Sequence, residues 1–184
     1  MTLPADLALR APGPDDVPGI AALVAACDET YRIWAPPGWQ PPQQGRELDR
    51  WRGRITDGSW WTRIALEPER RVVGLVCFTQ ALEITPGEEG GGGLRRRALE
   101  PIPGRAHISA VFTHPERWRE GIAAGLLEVA EAAMRAEGYA DVQLWTPEHA
   151  PARAFYEVAG WAHDGRAQWL PELALPIVAY VKIL

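Results

Sequence analysis

A strand-like apolar run from Ala106 to Thr113 passes through His114-Pro115-Glu116-Arg117-Trp118-Arg119-Glu120 into a helix opening on Gly121-Ile122-Ala123-Ala124-Gly125-Leu126-Leu127, and no other segment constrains the fold as tightly. Ile122, Leu126, Val129, Ala130, Ala133 and Met134 share one helical stripe, with Glu128, Glu131 and Arg135 on the wet side. Gly138 terminates the helix, and Asp141 to Thr146 reads as the next strand. Strand, helix and strand in this order make a parallel crossover unit, which requires a sheet. With Gly121, Ala123 and Ala124 in the first turn, no bulky side chain blocks the unpaired backbone N–H groups, and the helix dipole adds positive potential there. The turn is therefore an anion seat, and a pyrophosphate-bearing ligand suits it.

The flanking sequence predicts the rest of the sheet and its cover. Leu7 to Arg10 reads as a first strand, followed by a helix from Pro18 to Thr30. The Pro36-Pro37-Gly38-Trp39-Gln40-Pro41-Pro42 stretch cannot be regular, because prolines remove donors and fix φ. A second helix from Gln43 to Thr56 places Leu48, Trp51 and Ile55 on one face. Trp60 to Leu66 and Arg71 to Gln80 form a hairpin, and 81–104 is expected to be a flexible insertion, with Pro86-Gly87, Gly90-Gly91-Gly92-Gly93 and Arg95-Arg96-Arg97. A short helix from Glu148 to Val158 and strands from Ala162 to Leu170 and Pro176 to Ile183 complete the chain. The expected architecture is a single domain over 1–184, of α/β class, with helices on the faces of a mixed sheet.

Composition narrows the function. A chain of 184 residues with 47% hydrophobic content suits one globular core. A formal charge of −5 argues against a nucleic-acid binder, which needs a basic face. Cys27 and Cys77 lie far apart and read as buried apolar residues, so neither a disulfide framework nor a metal site is expected. Residues 1–12 lack a basic stretch followed by an apolar one, and the run from Ile20 to Cys27 is too short to span a bilayer. A soluble, cytoplasmic protein is expected.

Glycines ahead of a helix also serve nucleotide sites, but the chain has neither a Gly-Lys-Ser/Thr phosphate loop nor a three-glycine dinucleotide fingerprint. The turn is better taken together with Ala150-Pro151-Ala152-Arg153-Ala154-Phe155-Tyr156-Glu157-Val158-Ala159-Gly160-Trp161. The two segments together resemble the GNAT acyltransferase superfamily, the first its acetyl-CoA pyrophosphate loop and the second its Asn-x-x-Ala-x-x-Phe-Tyr-x-x-x-Gly-Phe signature. The resemblance spans Leu7 to Leu184 and is most specific from His107 to Trp161. Trp118 stands where many members have Gln or Arg, Ala123 replaces the second glycine, and His149 stands where an Asn usually bonds the cofactor.

That resemblance implies a GNAT-like fold of about seven mostly antiparallel strands, a central parallel pair of the fourth and fifth, and about four helices. It implies acetyl-CoA as cofactor and direct N-acetyl transfer to a primary amine of a small molecule or peptide, with a homodimer as a compatible assembly. The cofactor would contact backbone groups of Val111, Phe112 and Thr113, then Arg119, Glu120, Gly121, Ile122, Ala123 and Ala124 in the turn, and His149 and Ala152 beyond it. Glu120 would contribute only its backbone. Arg119 is either a cofactor contact or a surface partner of Glu116 or Glu120.

Tyr156 is implied as the general acid for the thiolate, since a phenol of pKa about 10 stays protonated at neutral pH. Its other reading is an amphipathic core aromatic. His107 is a candidate general base, and strict alternation puts it on one face with Ser109, Val111 and Thr113. The competing reading is a neutral, hydrogen-bonded sheet histidine. Trp34 and Trp39 either wall the acceptor site or pack their loop onto the domain. Two other classes compete with the enzyme: a non-catalytic acyl-CoA-binding module and a nucleotide-binding regulator.

Overall fold

A computed structural model describes residues 3–85 and 98–184. Its elements are β1 (Ala8–Arg10), α1 (Val17–Glu29), α2 (Gln44–Thr56), β2 (Trp61–Leu66), β3 (Val72–Thr85), β4 (Ala98–Thr113), α3 (Ile122–Ala136), β5 (Asp141–Pro147), α4 (Ala152–Val158), β6 (Ala162–Leu170) and β7 (Leu175–Ile183). The strands form one sheet in the order β1-β2-β3-β4-β5-β7-β6, in which only β4 and β5 pair in parallel. The crossover through α3 supplies that parallel pair, as the sequence requires.

Helices cover both faces. Ile20, Leu23, Val24 and Cys27 fall at helical spacing on α1 and, with Trp51 of α2, bury Ile64, Leu75 and Cys77. On the opposite face, Ile122, Leu126, Ala130 and Met134 of α3 and Tyr156 of α4 pack on Ile108, Leu144 and Tyr180. Gly74 sets how closely α3 approaches, because a Cβ there would meet Ile122 Cγ2 and Leu126 Cδ1 at 3.0 Å. Cys27 and Cys77 are free and buried. Among the described residues, no helix is long and apolar enough to cross a membrane.

Two expectations need correction. The segment 81–104 is not a loop at its ends: β3 and β4 continue as a hairpin through Leu82↔Pro101, Ile84↔Leu99 and Thr85↔Ala98. Pro101 and Pro103 are tolerated because β5 pairs β4 only from Arg105 onward, which leaves the other edge of this stretch without a strand. The glycine run and Arg95-Arg96-Arg97 lie outside the described residues. The fourth helix starts at Ala152, not Glu148, because residues 148–151 form a turn in which the Ala150 N–H donates to the Pro147 carbonyl at 3.0 Å.

Candidate active site

β4 and β5 pair from Arg105↔Asp141 to Ile108↔Leu144 and then part. Trp145 to Pro147 continue along β7 and Ala110 to Thr113 along β3, which leaves a wedge between the two strands. A β-bulge sits where they separate: Phe78 faces Ile108 and Cys77 faces Ala110, so Ser109 is the extra residue. This insertion reverses the alternation. Ala106 and Ile108 belong to the α3 core, Ala110 and Phe112 to the α1 core, and Val111 again to the α3 side. The expected row of His107, Ser109, Val111 and Thr113 is therefore split. His107 and Ser109, the latter against the Cys77 thiol, face α1 and α2, while Val111 and Thr113 face α3.

Hydrogen bonding fixes which backbone groups reach the wedge. The His114 N–H donates to the Val73 carbonyl at 2.9 Å, so antiparallel alternation directs the Phe112 N–H and C=O to β3 and those of Val111 and Thr113 to the open edge. Of the three residues, Val111 and Thr113 turn their backbone groups to the open edge and Phe112 turns its own to β3. The Thr113 carbonyl accepts from the Trp118 indole N–H at 2.8 Å and the Cys27 thiol at 3.3 Å.

The turn before α3 is shaped by positive φ at Arg119 (67°) and Gly121 (83°). Left-handed residues so close together curl successive N–H groups toward a common point, a nest for an anion. Buried Ile122 pins the helix start in the core, and half-buried Ala123 and Ala124 leave that end open. Arg117 anchors the turn through Glu67 at 2.6 Å, Glu120 at 2.7 Å and Asp6 at 2.9 Å. Arg71 holds Glu116 at 2.6 Å. With both neighbouring acids committed, exposed Arg119 has no ion pair among the described residues, which removes its reading as their surface partner.

On the other wall of the wedge, His149 is exposed in the turn after β5 and Ala152 packs on the α3 core. Arg153 ties this turn to the sheet by donating to the Glu148 carbonyl and the Tyr180 hydroxyl, both at 2.9 Å. Tyr156 is 8% exposed, with its ring centroid 5.4 Å from Phe155 and 6.1 Å from both Trp161 and Tyr180. Burial pushes its phenol up to about 12, so the hydroxyl keeps its proton across the working pH range. That hydroxyl makes no hydrogen bond among the described residues.

The face under α1 and α2 holds residues that sequence reading does not single out: Asp28, Tyr31, Glu47 and Arg54. Asp28 is 4% exposed, and its carboxyl makes no hydrogen bond or ion pair among the described residues. Burial, then the Glu47 charge, pushes its carboxyl up to about 7, against the opposing pull of Arg50. Glu47 is itself paired with Arg50 at 2.6 Å. Tyr31 is pushed up by burial and then by the charges of Asp28, Cys27 and Tyr156.

His107 is pushed down to about 4, first by burial and then by Arg54, while the Gln143 backbone opposes. Its Nδ1 is sealed without a partner. Trp39 is buried, and its indole N–H donates to the Leu173 carbonyl at 2.7 Å, joining the α1–α2 connection to the β6–β7 turn. Trp34 lies against Tyr31, ring centroids 4.7 Å apart. The available sequence signal was charge on an apolar stripe, since Asp28 follows Val24 by four residues and Glu47 precedes Trp51 by four.

A model of the acetyltransferase (GNAT) family matches residues 24–161. The chain belongs to this family. The match runs from α1 through α4 and takes in the wedge, the turn and Tyr156. Solved structures share the GNAT fold at low identity. A Staphylococcus aureus Mu50 GNAT acetyltransferase aligns at TM-score 0.70 and 12% identity, covering 97% of this chain and 99% of its own. The PaiA N-acetyltransferase of Thermoplasma acidophilum, solved with coenzyme A, aligns at 0.64 and 12%, covering 97% and 99%. A mutant of the Vibrio cholerae spermidine N-acetyltransferase SpeG aligns at 0.64 and 17%, covering 98% and 95%. A search of curated proteins found no match. This GNAT protein is an acyltransferase, and the family's acyl donor is acetyl-CoA.

Proposed function

We propose that this GNAT enzyme transfers an acetyl group directly from acetyl-CoA to a primary amine of a small molecule or peptide. The observation that carries the reading is that Asp28, under α1, and Tyr156, of α4 on the opposite face of the sheet, both act on the buried Tyr31 phenol. Among the described residues, a buried phenol whose hydroxyl has no hydrogen-bond partner stands on the α4 side, and a buried carboxyl without one stands on the α1 side. Acetyl-CoA supplies an activated acyl thioester when bound.

The open N–H groups at Glu120, Gly121, Ile122, Ala123 and Ala124, with the uncommitted Arg119, suit its pyrophosphate. Val111 and Thr113 offer the open edge of β4 to the amide-bearing arm, with His149 and Ala152 on the opposite wall. Asp28 takes the proton of the acceptor ammonium, which frees the nitrogen lone pair to form the new C–N bond. Tyr156 gives its proton to the sulfur as the C–S bond breaks. His107, pushed down to about 4, is too weak a base to hold an ammonium proton. Trp34 and Tyr31 form the aromatic wall of the acceptor side. Two free, buried cysteines support a reducing, cytoplasmic setting.

The test is thiol release from acetyl-CoA across a panel of amines, among them amino acids, a peptide N-terminus and spermidine. Release with formation of the acetylated amine is expected for at least one class. CoA binding without release on any amine would replace the enzyme with a binding module.

A further inference from the structure

Arg54 lies in the last turn of α2, its guanidinium carbon 4.9 Å from the Trp51 ring centroid and 4.6 Å from that of Trp60. A guanidinium held by its faces between two indoles still has its edge donors to satisfy. Among the described residues, Arg54 makes no hydrogen bond and no ion pair, although Arg10, Arg50, Arg71, Arg105 and Arg117 each hold a carboxylate. Glu47, the acid whose charge reaches Arg54, is taken by Arg50 at 2.6 Å. Burial and the Arg50 charge both disfavour the Arg54 cation as it stands.

The groups facing Arg54 from the sheet are Cys77 of β3 and His107 of β4, both of which sense its charge. Ser109 lies against Cys77, whose sulfur also accepts from the Thr62 hydroxyl at 3.2 Å. Among the described residues, none of the groups on the sheet side that sense Arg54 is a carboxylate. His107 is one rung before Ile108↔Leu144, where β4 and β5 part, and Trp51 and Trp60, which carry Arg54, share with Cys77 the core cluster under α1 and α2, the face of the proposed acceptor site. Asp28, on α1, lies on the same face, and its charge reaches Tyr31.

We propose that Arg54 binds a carboxylate of the acceptor, so that the substrates are amino acids and related amines carrying a carboxylate, with the ammonium directed toward Asp28. The inference rests on the acetyl-transfer reading. A guanidinium edge accommodates two carboxylate oxygens at once. Spermidine, with no carboxylate, would leave the Arg54 donors unmet.

The experiment uses matched acceptors, an amino acid against its carboxamide, with the full chain and the variants R54Q and R54K. Wild type should favour the acid over the amide by about tenfold or more in kcat/KM, the gain of a charge-assisted hydrogen bond. In R54Q that ratio should fall to near one through KM for the acid, and R54K should restore only part of it. Equal use of acid and amide by wild type, or R54Q lowering both alike, overturns the inference while leaving acetyl transfer intact. A thermal-shift arm with butyrate, which has no amine to acetylate, reads the pocket without turnover. Stabilisation of wild type and not of R54Q is expected, and no difference between them overturns the proposal even if no amine is acetylated.

Discussion

The Trp118 indole N–H donates to the Thr113 carbonyl at 2.8 Å, joining the turn before α3 to the last residue of β4. Although Trp118 is 50% exposed, it locks the two parts of the proposed cofactor site in one register. Trp118→Phe keeps the ring and removes the donor. CoA affinity should weaken by about three- to tenfold, the worth of one net hydrogen bond, by isothermal titration. An unchanged Kd would show that the turn holds its shape without this bond.

Tyr156→Phe should leave the CoA Kd within about twofold and lower kcat by roughly a hundredfold, since general acid catalysis contributes on that scale. Because the phenol is pushed up to about 12, the wild-type rate should show no alkaline fall from this group below about pH 10. Unchanged turnover in the variant would make Tyr156 a packing residue.

Asp28→Asn should lower kcat/KM and remove the acid limb of the pH profile near 7. The effect should be large for amines of high pKa and small for weakly basic amines, which arrive already deprotonated. The same carboxyl gives a stability signature of opposite sense. Raised from 3.8 to about 7, it contributes stability that is complete below pH 3.8 and lost as pH rises through about 7. Asn should therefore raise Tm more at about pH 8 than at about pH 4. Glu47 and Arg50 from α2, Glu29 on α1, and Tyr31 and Cys27 sense or set this titration, so Glu47→Gln should shift the limb downward.

Gly74→Ala places a methyl 3.0 Å from Ile122 and Leu126 and 3.1 Å from Ala65. The expected cost is about 1–3 kcal/mol from overpacking, read as a fall of several degrees in Tm. A neutral result would mean that α3 can slide away from the sheet without penalty.

The crossover unit and the start of α3 were legible because their signals are local: a stripe at helical spacing, small residues in one turn, and a terminating Gly138. The face assignments along β4 were not. One inserted residue, Ser109, turns Val111 and Thr113 away from His107, and alternation read from sequence has no means of counting a bulge. The acceptor face was hidden for a different reason. Asp28, Glu47, Arg54 and His107 come from three elements and acquire their character only through mutual burial, whereas Tyr156 sits inside a contiguous motif. Pro101 and Pro103 misled in the same way, since their tolerance depends on which edge of β4 lacks a neighbour.

The bulge at Ser109 carries a kinetic consequence. It puts Val111 on the Tyr156 side of the sheet and leaves His107 on the side of α1 and α2, so in the proposed reaction the cofactor and the acceptor would approach from opposite faces. Both could then be bound at once, and the acyl group would change owners in the plane of the sheet itself. Initial-rate plots at several acceptor concentrations should accordingly intersect, the mark of a ternary complex, whereas parallel lines would mean that the enzyme carries the acyl group itself between two half-reactions.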